Sequence, residues 1–260
     1  MDDEENEASD NDDAEVLITD VDPSISVEKT ANPDSINEPG GSVRFDVTVN
    51  NTSEEEVTLN SLDDNVHGNL NGQGNCSVPQ TIGAGSSYSC SFTADVNGNG
   101  NSTETDTVTA FAYDNDENST EASDDATVEI TDVPSEVNVQ KTADPTEVPE
   151  TGGDVTYTVE VTNGSQVESV ILTSLIDDQY GDLNGAGSCS TGTSIAAGDT
   201  YTCSFTENVS GEPSTFIDVV TATVMDDEEN EASDNDDAEV LILFVNQPPI
   251  AEDDYATTDE

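Results

Sequence analysis

Short runs of alternating apolar and polar residues recur along the chain. Val43, Phe45, Val47 and Val49 alternate with polar residues, and residues 155–161 repeat the pattern. A period of two places the apolar side chains on one face of a half-buried strand. Clusters of Gly, Asn, Ser and Pro separate these runs and predict turns. No stretch has a sustained helical period, so the sequence predicts an all-β fold of tandem immunoglobulin-like antiparallel β-sandwiches.

Internal repeats define the domain organisation. Residues 1–18 recur unchanged at 225–242, and residues 27–51 align with residues 139–163. Such self-similarity is the signature of a repeat architecture. We therefore expect four parts: the C-terminal hairpin of a preceding module at 1–20, a first module at 21–132, a second module at 133–242, and a linker with the start of a further module or a tail at 243–260.

The duplicated first segment leaves two alternatives open. Met1 corresponds to Met225, an interior residue of the later copy, which favours a window onto a longer array. The hairpin at 1–20 then completes an upstream module. In the alternative it pairs with a partner chain's sheet, because an isolated hairpin is marginal in water.

The four cysteines show the same spacing in both modules, Cys76 with Cys90 and Cys189 with Cys203. One disulfide per module is the simplest pairing, and it would stabilise a module by about 3 kcal/mol. Four buried free thiols are the alternative, and a metal site is disfavoured because no Cys-x-x-Cys motif is present. Disulfides would indicate an oxidising, extracytoplasmic location.

Charge excludes one class of partner. The 260 residues contain 3 Lys and Arg against 59 Asp and Glu, a formal net charge of −56. Such a polyanion cannot neutralise phosphates, so we expect no nucleic-acid partner. The longest apolar run, residues 240–245, is too short to span a membrane. An acidic segment follows Met1 where a secretory leader would be basic, so any export signal would lie outside this sequence.

Two motifs carry a family resemblance. Residues 141–145, KTADP, and 155–163, VTYTVEVTN, resemble the Ig-like "conserved repeat" family of prokaryotic surface proteins, and residues 29–33 and 43–51 show the same features. Residues 246–260 are similar to the opening of bacterial cadherin-like repeats, which form tandem stalks in very large adhesins. The resemblance implies stacked sandwiches in a giant secreted or surface-attached protein.

Dense acidic loops indicate a divalent cation. Closely spaced carboxylates repel one another, and Ca²⁺ accepts six to eight oxygen ligands from flexible loops. Residues 114–125 do not match the helix-loop-helix calcium pattern, because Ser119 replaces its glycine and Asp125 replaces its final glutamate. Mg²⁺ is less suitable, since it demands strict octahedral geometry.

In immunoglobulin strand order, the loop between the last two strands lies where the chain enters the module. Linker aspartates should therefore meet that loop, and aspartates ending a middle strand should lie at the opposite end, near the following linker. The predicted Ca²⁺ ligands are Asp20, Asp22, Asp114, Asp116, Asp124 and Asp125 in the first module, Asp132, Asp226, Asp227, Asp236 and Asp237 in the second, and Asp64, Asp177 and Asp178 at the opposite ends. The alternative is a solvated acidic surface.

Two functional classes remain. Near-identical repeats favour a structural segment of an extracellular stalk or filament on a prokaryotic cell, stiffened by Ca²⁺, whose partners are neighbouring modules and identical chains. The alternative is an adhesin module that binds a glycan or another cell. We expect no enzyme, because the lone His67 has Tyr180 as its counterpart, so no repeated triad can form.

Overall fold

The computed structural model describes residues 9–246, and within that range the chain is all-β with no helix. The strands form two β-sandwiches, which confirms the predicted fold class. The described chain divides into two compact units. One contains residues 9–34, 42–96 and 104–128, and the other contains residues 35–41, 97–103 and 129–246.

The first sandwich pairs a three-stranded sheet, β1-β3-β7, with a six-stranded sheet, β2-β9-β8-β4-β5, in which β6 also pairs with β4. The strands are β1 (Ile25–Asn32), β2 (Ser35–Asn37), β3 (Gly40–Asn51), β4 (Val57–Asp64), β5 (Gly68–Asn69), β6 (Gln80–Ile82), β7 (Ser87–Asn97), β8 (Ser102–Tyr113) and β9 (Ser119–Thr131).

The second sandwich repeats this topology with sheets β10-β12-β16 and β11-β18-β17-β13-β14, and β15 pairs with β13. Its strands are β10 (Val137–Asp144), β11 (Glu147–Pro149), β12 (Gly153–Asn163), β13 (Val170–Asp177), β14 (Gly181–Asp182), β15 (Thr193–Ile195), β16 (Thr200–Val209), β17 (Thr215–Met225) and β18 (Glu231–Leu243). The short strands β2 and β11 pair in parallel with β9 and β18.

The predicted alternation becomes the core. Val43, Phe45, Val47 and Val49 of β3 are all fully buried, and residues 155–161 of β12 follow the same pattern. Each buried aliphatic or aromatic side chain of this kind contributes about 1.5–3 kcal/mol. A low apolar content is therefore sufficient, because only the inner face of each sheet needs apolar residues.

Both predicted disulfides, Cys76–Cys90 and Cys189–Cys203, are formed. Each joins β7 or β16 to the irregular segment that precedes β6 or β15. In the second sandwich that segment approaches the strand at Gly187, which has φ +56, and an added Cβ there would lie 2.1 Å from the carbonyl oxygen of Ser204. Only glycine allows this close approach.

The expected hairpin at 1–20 lies partly outside the described residues. Its described part, residues 9–20, forms no strand, and Val16, Leu17 and Ile18 are 81%, 83% and 91% exposed. The same sequence at 233–242 lies in β18, where β17 supplies a partner strand. The difference shows that this sequence depends on a neighbouring strand to become β-structure. Of the expected linker and tail at 243–260, residues 247–260 also lie outside the described range.

Candidate metal centres

The loop between β8 and β9 is closed on one buried carboxylate. Asp114 Oδ1 accepts the backbone N–H groups of Asp116 at 2.9 Å and Asn118 at 2.8 Å. The Asn118 side-chain amide donates to Asp114 Oδ2 at 3.1 Å and to Asp20 Oδ2 at 2.6 Å. Glu117 has φ +69, the left-handed conformation that the tight turn requires. The loop thereby brings the preceding linker, through Asp20, against Asp114.

We call Asp20, Glu55 and Asp114 the first acidic cluster, since one carboxylate oxygen of each lies within 4.8 Å of the others. Burial, and then repulsion by Asp114 and Asp20, raises the pKa of Glu55. Burial also disfavours ionised Asp114, but hydrogen bonds from Asn118 and Asp116 outweigh it and lower the pKa of Asp114. The cluster borders a cleft of about 350 Å³ lined by Glu55, Asp114 and further acidic residues.

The second sandwich contains an equivalent group, the second acidic cluster, formed by Asp132, Glu168 and Asp226 within the same 4.8 Å limit. Asp226 Oδ1 accepts the backbone N–H of Asn230 at 2.7 Å, and the Asn230 side chain donates to Asp132 Oδ2 at 2.8 Å. Glu229 has φ +67, which matches Glu117. The two loops therefore share the aspartate, the left-handed glutamate and the asparagine that bonds the linker aspartate.

An adjoining group extends the second cluster. Glu38, Glu168, Asp227 and Glu228 also place one carboxylate oxygen each within 4.8 Å of one another. Glu38 is fixed by the backbone N–H groups of Gly100 at 2.7 Å and Val133 at 2.8 Å. All these residues belong to one compact unit. They concentrate negative charge around the Glu168 carboxylate.

The electrostatic consequence appears in the pKa values. Burial, followed by repulsion from Glu38 and Asp226, raises the pKa of Glu168 to about 7. Burial, a hydrogen bond with Asp227 and repulsion by Glu38 raise the pKa of Glu228 to about 7. Asp132 is shifted in the same direction by burial and by Asp226. At Glu55, Asp132, Glu168 and Glu228, negative charge is therefore disfavoured unless a cation neutralises it.

Several carboxylate oxygens in the clusters are buried and have no hydrogen-bond partner. They are Oε1 of Glu55, Oδ1 of Asp132, both oxygens of Glu168 and Oε2 of Glu228. Buried polar atoms are normally paired, so unpaired ones need an explanation. These acidic groups can hold a metal ion, because a hard cation takes such oxygens as ligands.

The predicted ligands divide into three sets. Asp20, Asp114, Asp132, Asp226 and Asp227 lie in the clusters described above, and a shared hydrogen bond with Asp20 raises the pKa of the adjacent Asp116. Three others, Asp22, Asp125 and Asp237, are exposed and lie outside the acidic groups among the described residues. The remaining five predicted ligands, which are Asp124, Asp236, Asp178, Asp64 and Asp177, have other partners.

Asp124 and Asp236 do not join the loop clusters as expected. Each is on the last strand of its sandwich and accepts a backbone N–H from the first strand, that of Lys29 or Lys141, at 2.8 Å. Asp178 accepts the backbone N–H of Val219 at 2.8 Å. For Asp124 and Asp236 strand geometry explains the difference, because a carboxylate next to unpaired backbone amides accepts their hydrogen bonds directly.

Asp64 and Asp177 were expected as Ca²⁺ ligands at the opposite end of each module, near the following linker, but both are buried. Lys29 Nζ lies 2.5 Å from Asp64 and 2.6 Å from Asp106, and the three side chains are at most 1% exposed. Lys141 Nζ lies 2.6 Å from both Asp177 and Asp218, all fully buried. The lysine ammonium is thus already the cation between these carboxylates.

We call these groups the two lysine centres. Lys29 Nζ lies 4.8 Å from the ring centroid of Phe45, and Lys141 Nζ lies 4.7 Å from that of Tyr157. A fourth group of possible metal ligands, Asp64, His67 and Asp106, overlaps the first centre. One feature of the sequence could have revealed the lysine centres. The chain has only three basic residues, and two of them, Lys29 and Lys141, occupy equivalent positions of the repeat.

No protein-family profile matches the chain, and no curated protein sequence matches it. Among solved structures, a protein of unknown function from Porphyromonas gingivalis W83 is 10% identical, with a TM-score of 0.30 over 83% of this chain and 99% of that chain. The Yersinia pseudotuberculosis adhesin InvE is 16% identical, with a TM-score of 0.29 over 83% of this chain and 58% of the other. Red sea bream transglutaminase is 12% identical, with a TM-score of 0.27 over 89% and 32%. Likenesses this weak carry no argument about function.

Among the described residues, no helix has the length and apolar character needed to cross a membrane.

Proposed function

We propose that this chain is a structural repeat segment of an extracellular prokaryotic stalk or filament, stiffened by Ca²⁺ bound in its acidic loops and linkers. The observation that carries the proposal is the equivalence of the two acidic clusters. Asp20, Glu55 and Asp114 in one sandwich correspond to Asp132, Glu168 and Asp226 in the other. A merely solvated acidic surface would not need the same convergence twice.

The chemistry of the clusters supports Ca²⁺ over other cations. Every candidate ligand is an oxygen, and Ca²⁺ tolerates the irregular geometry and high coordination number that mixed carboxylates, backbone carbonyls and water provide. The unpaired buried oxygens of Glu55 and Glu168 would become ligands. One cation would also offset the burial and the repulsion that raise the pKa values of these residues.

Each cluster contains one linker aspartate, through which a bound cation would restrict the motion of the linker. Asp20 and Asp132 lie in the segments that precede the first strands, β1 and β10, and residues 132–136 form no strand. A cation that binds such a residue together with a loop of the sandwich would fix the direction in which the linker leaves. We propose that neighbouring modules of the same array, and identical chains in a filament, are the partners, and that the chain has no catalytic role.

The two disulfides support an oxidising compartment outside the cytoplasm, because reduced thiols prevail inside it. The strong negative charge keeps a long array soluble.

Small-angle X-ray scattering tests the stiffening directly. The full chain is measured in CaCl₂, in MgCl₂ and in EGTA at constant ionic strength, with the Glu55→Gln/Glu168→Gln double variant as the matched sample. We expect Ca²⁺ to lengthen the wild-type particle and narrow its distance distribution, and to change the variant less. Identical wild-type curves in Ca²⁺ and EGTA would contradict the proposal.

A further inference from the structure

Each lysine centre buries one of the few basic side chains of the protein, which is energetically unfavourable. The chain has only 3 Lys and Arg, yet Lys29 and Lys141 are each fully buried on the first strand of a sandwich. Burying an ammonium costs several kcal/mol even when it is paired. Each lysine also faces two buried carboxyl groups, so the centre contains one more acid than a simple ion pair needs.

The two carboxyl groups differ in their surroundings. In the second sandwich, Asp177 Oδ1 accepts hydrogen bonds from the backbone N–H groups of Gln179 at 2.9 Å and Tyr180 at 3.0 Å. Its Oδ2 accepts a hydrogen bond from the Lys141 ammonium. Neither oxygen of Asp218 has a hydrogen-bond partner, although one lies 2.6 Å from Lys141 Nζ. That close approach is therefore not aligned as a hydrogen bond. Asp177 thus accepts three hydrogen bonds, and Asp218 accepts none.

The first sandwich has the same asymmetry. Asp64 Oδ1 accepts the backbone N–H groups of Val66 and His67, both at 2.9 Å. Both oxygens of Asp106 lack a hydrogen-bond partner, although one lies 2.6 Å from Lys29 Nζ and 2.9 Å from Nε2 of His67. Both sandwiches thus combine a buried amine, a carboxylate held by two backbone amides and a second carboxyl group without a hydrogen bond, beneath aromatic rings.

Protonation separates the roles further. Burial raises the pKa of Asp218, which favours its neutral acid form, and this outweighs the opposing effect of Lys141. A carboxylic acid has an electrophilic carbonyl carbon, whereas a carboxylate resists attack by an amine. Asp177, held by two backbone amides, is available as the base.

We propose that each centre closes an intramolecular amide bond, between Lys29 and Asp106 in the first sandwich and between Lys141 and Asp218 in the second. In the second centre, the Asp177 carboxylate takes a proton from the ammonium. The neutral amine attacks Cγ of the Asp218 acid, the new C–N bond forms, and the C–OH bond breaks. The hydroxyl leaves as water with a proton relayed by Asp177, which ends neutral. No oxidant, metal or cofactor is consumed.

The surroundings favour this product. The Tyr157 and Phe205 ring centroids lie 4.7 and 5.7 Å from Lys141 Nζ and shield it from water. The reaction replaces buried charges with a neutral amide and releases its water to solvent. Lys141 is on β10 and Asp218 is on β17, strands of different sheets. The bond therefore joins the two sheets of the sandwich and links its first strand to its last but one.

Intact-mass spectrometry of the full chain, denatured and with its disulfides reduced, tests this proposal independently of Ca²⁺. We expect the wild-type mass to be two water molecules below the sequence mass, and Lys141→Met to retain only one loss. Arg44→Met, which removes the exposed third cation, is the control and should keep both losses. A wild-type mass equal to the sequence mass would overturn the proposal, as would an unchanged deficit in Lys141→Met.

Peptide mapping identifies the electrophile without relying on variants. Digestion of the wild-type chain with a glutamate-specific protease should give a branched peptide that contains both Lys141 and Asp218. A branch from Lys141 to Asp177 would overturn the assignment of roles. In Asp218→Asn the same amide would form with loss of ammonia, so a cross-linked variant should have the mass of the cross-linked wild type.

Discussion

Titration of Glu168 in the second acidic cluster should make the metal-free protein less stable as the pH rises. The Glu168 carboxyl has its pKa raised to about 7, from 4.5, chiefly by burial. Between these values the folded state binds more protons than the unfolded state. The free energy of unfolding should therefore fall as pH rises from about 4.5 to about 7, and the destabilisation is fully present above that range.

The magnitude follows from the shift. At about 1.4 kcal/mol per pKa unit, a rise from 4.5 to about 7 corresponds to about 3 kcal/mol as an upper limit. The carboxylate oxygens of Glu168 are buried but the residue is otherwise partly exposed, and solvent screening reduces the expected effect to about 1 kcal/mol. Other acidic residues add to the slope, so the informative quantity is the difference between the wild type and Glu168→Gln.

Urea denaturation in EGTA at pH 5 and pH 8 measures this difference. At pH 8 we expect the free energy of unfolding of Glu168→Gln to exceed that of the wild type by about 1 kcal/mol. At pH 5 we expect the two values to match more closely. Glu160→Gln, at an exposed position of β12 outside the clusters, is the control and should change stability little at either pH. The electrostatic reasoning would be refuted if, in the metal-free protein, Glu168→Gln were less stable than the wild type at pH 8.

Two further predictions concern the scaffold. Replacing Cys189 and Cys203 together by Ala should lower the free energy of unfolding by about 3 kcal/mol, since the bridge closes a loop with a sequence separation of 14. A loss below about 1 kcal/mol by chemical denaturation would show that the bridge does not constrain the unfolded chain as supposed. Gly187→Ala should destabilise by more than about 2 kcal/mol, because its Cβ would meet the Ser204 carbonyl oxygen, while Gly185→Ala has open space and bears only the backbone cost of its φ +92. Equal thermal shifts for the two glycine variants would contradict the close approach.

The fold was predictable because its main signal is local. Alternation at Val43, Phe45, Val47 and Val49 needs no knowledge of the rest of the chain, and all four are buried. The meeting of linker and loop, as between Asp20 and Asn118, followed from the strand order of an immunoglobulin-like sandwich. Here topology alone determined which segments lie close together.

The glutamates of the clusters were missed because the loop that carries each of them is anchored by an asparagine that also bonds a distant strand. The Asn51 side chain donates to the carbonyls of Glu55 and Ile82, and Asn163 does the same for Glu168 and Ile195. An inserted residue also hides the correspondence in the alignment. Val57 follows Asn51 by 57 − 51 = 6 positions, while Val170 follows Asn163 by 170 − 163 = 7.

The burial of Asp64 and Asp177 was missed for a different reason. An aspartate at the end of a strand has the same local pattern whether it faces solvent or the interior. What decides its position is the lysine on the first strand, whose Nζ lies 2.5 Å from Asp64 and 2.6 Å from Asp177. The pairing joins residues in different sheets, and no periodicity in the sequence reports it.

Isothermal titration of the full chain with CaCl₂ is the most direct test of the central claim, that the two acidic clusters bind Ca²⁺. We expect saturable binding at sites whose number falls in Glu55→Gln and again in the Glu55→Gln/Glu168→Gln double variant, while Glu160→Gln titrates like the wild type. Bound Ca²⁺ at a hundredfold excess over its Kd should add about 2.7 kcal/mol to the free energy of unfolding. Heat no greater than that of an ionic-strength-matched MgCl₂ titration, and unaffected by either variant, would contradict the claim and leave the carboxylates as a solvated surface.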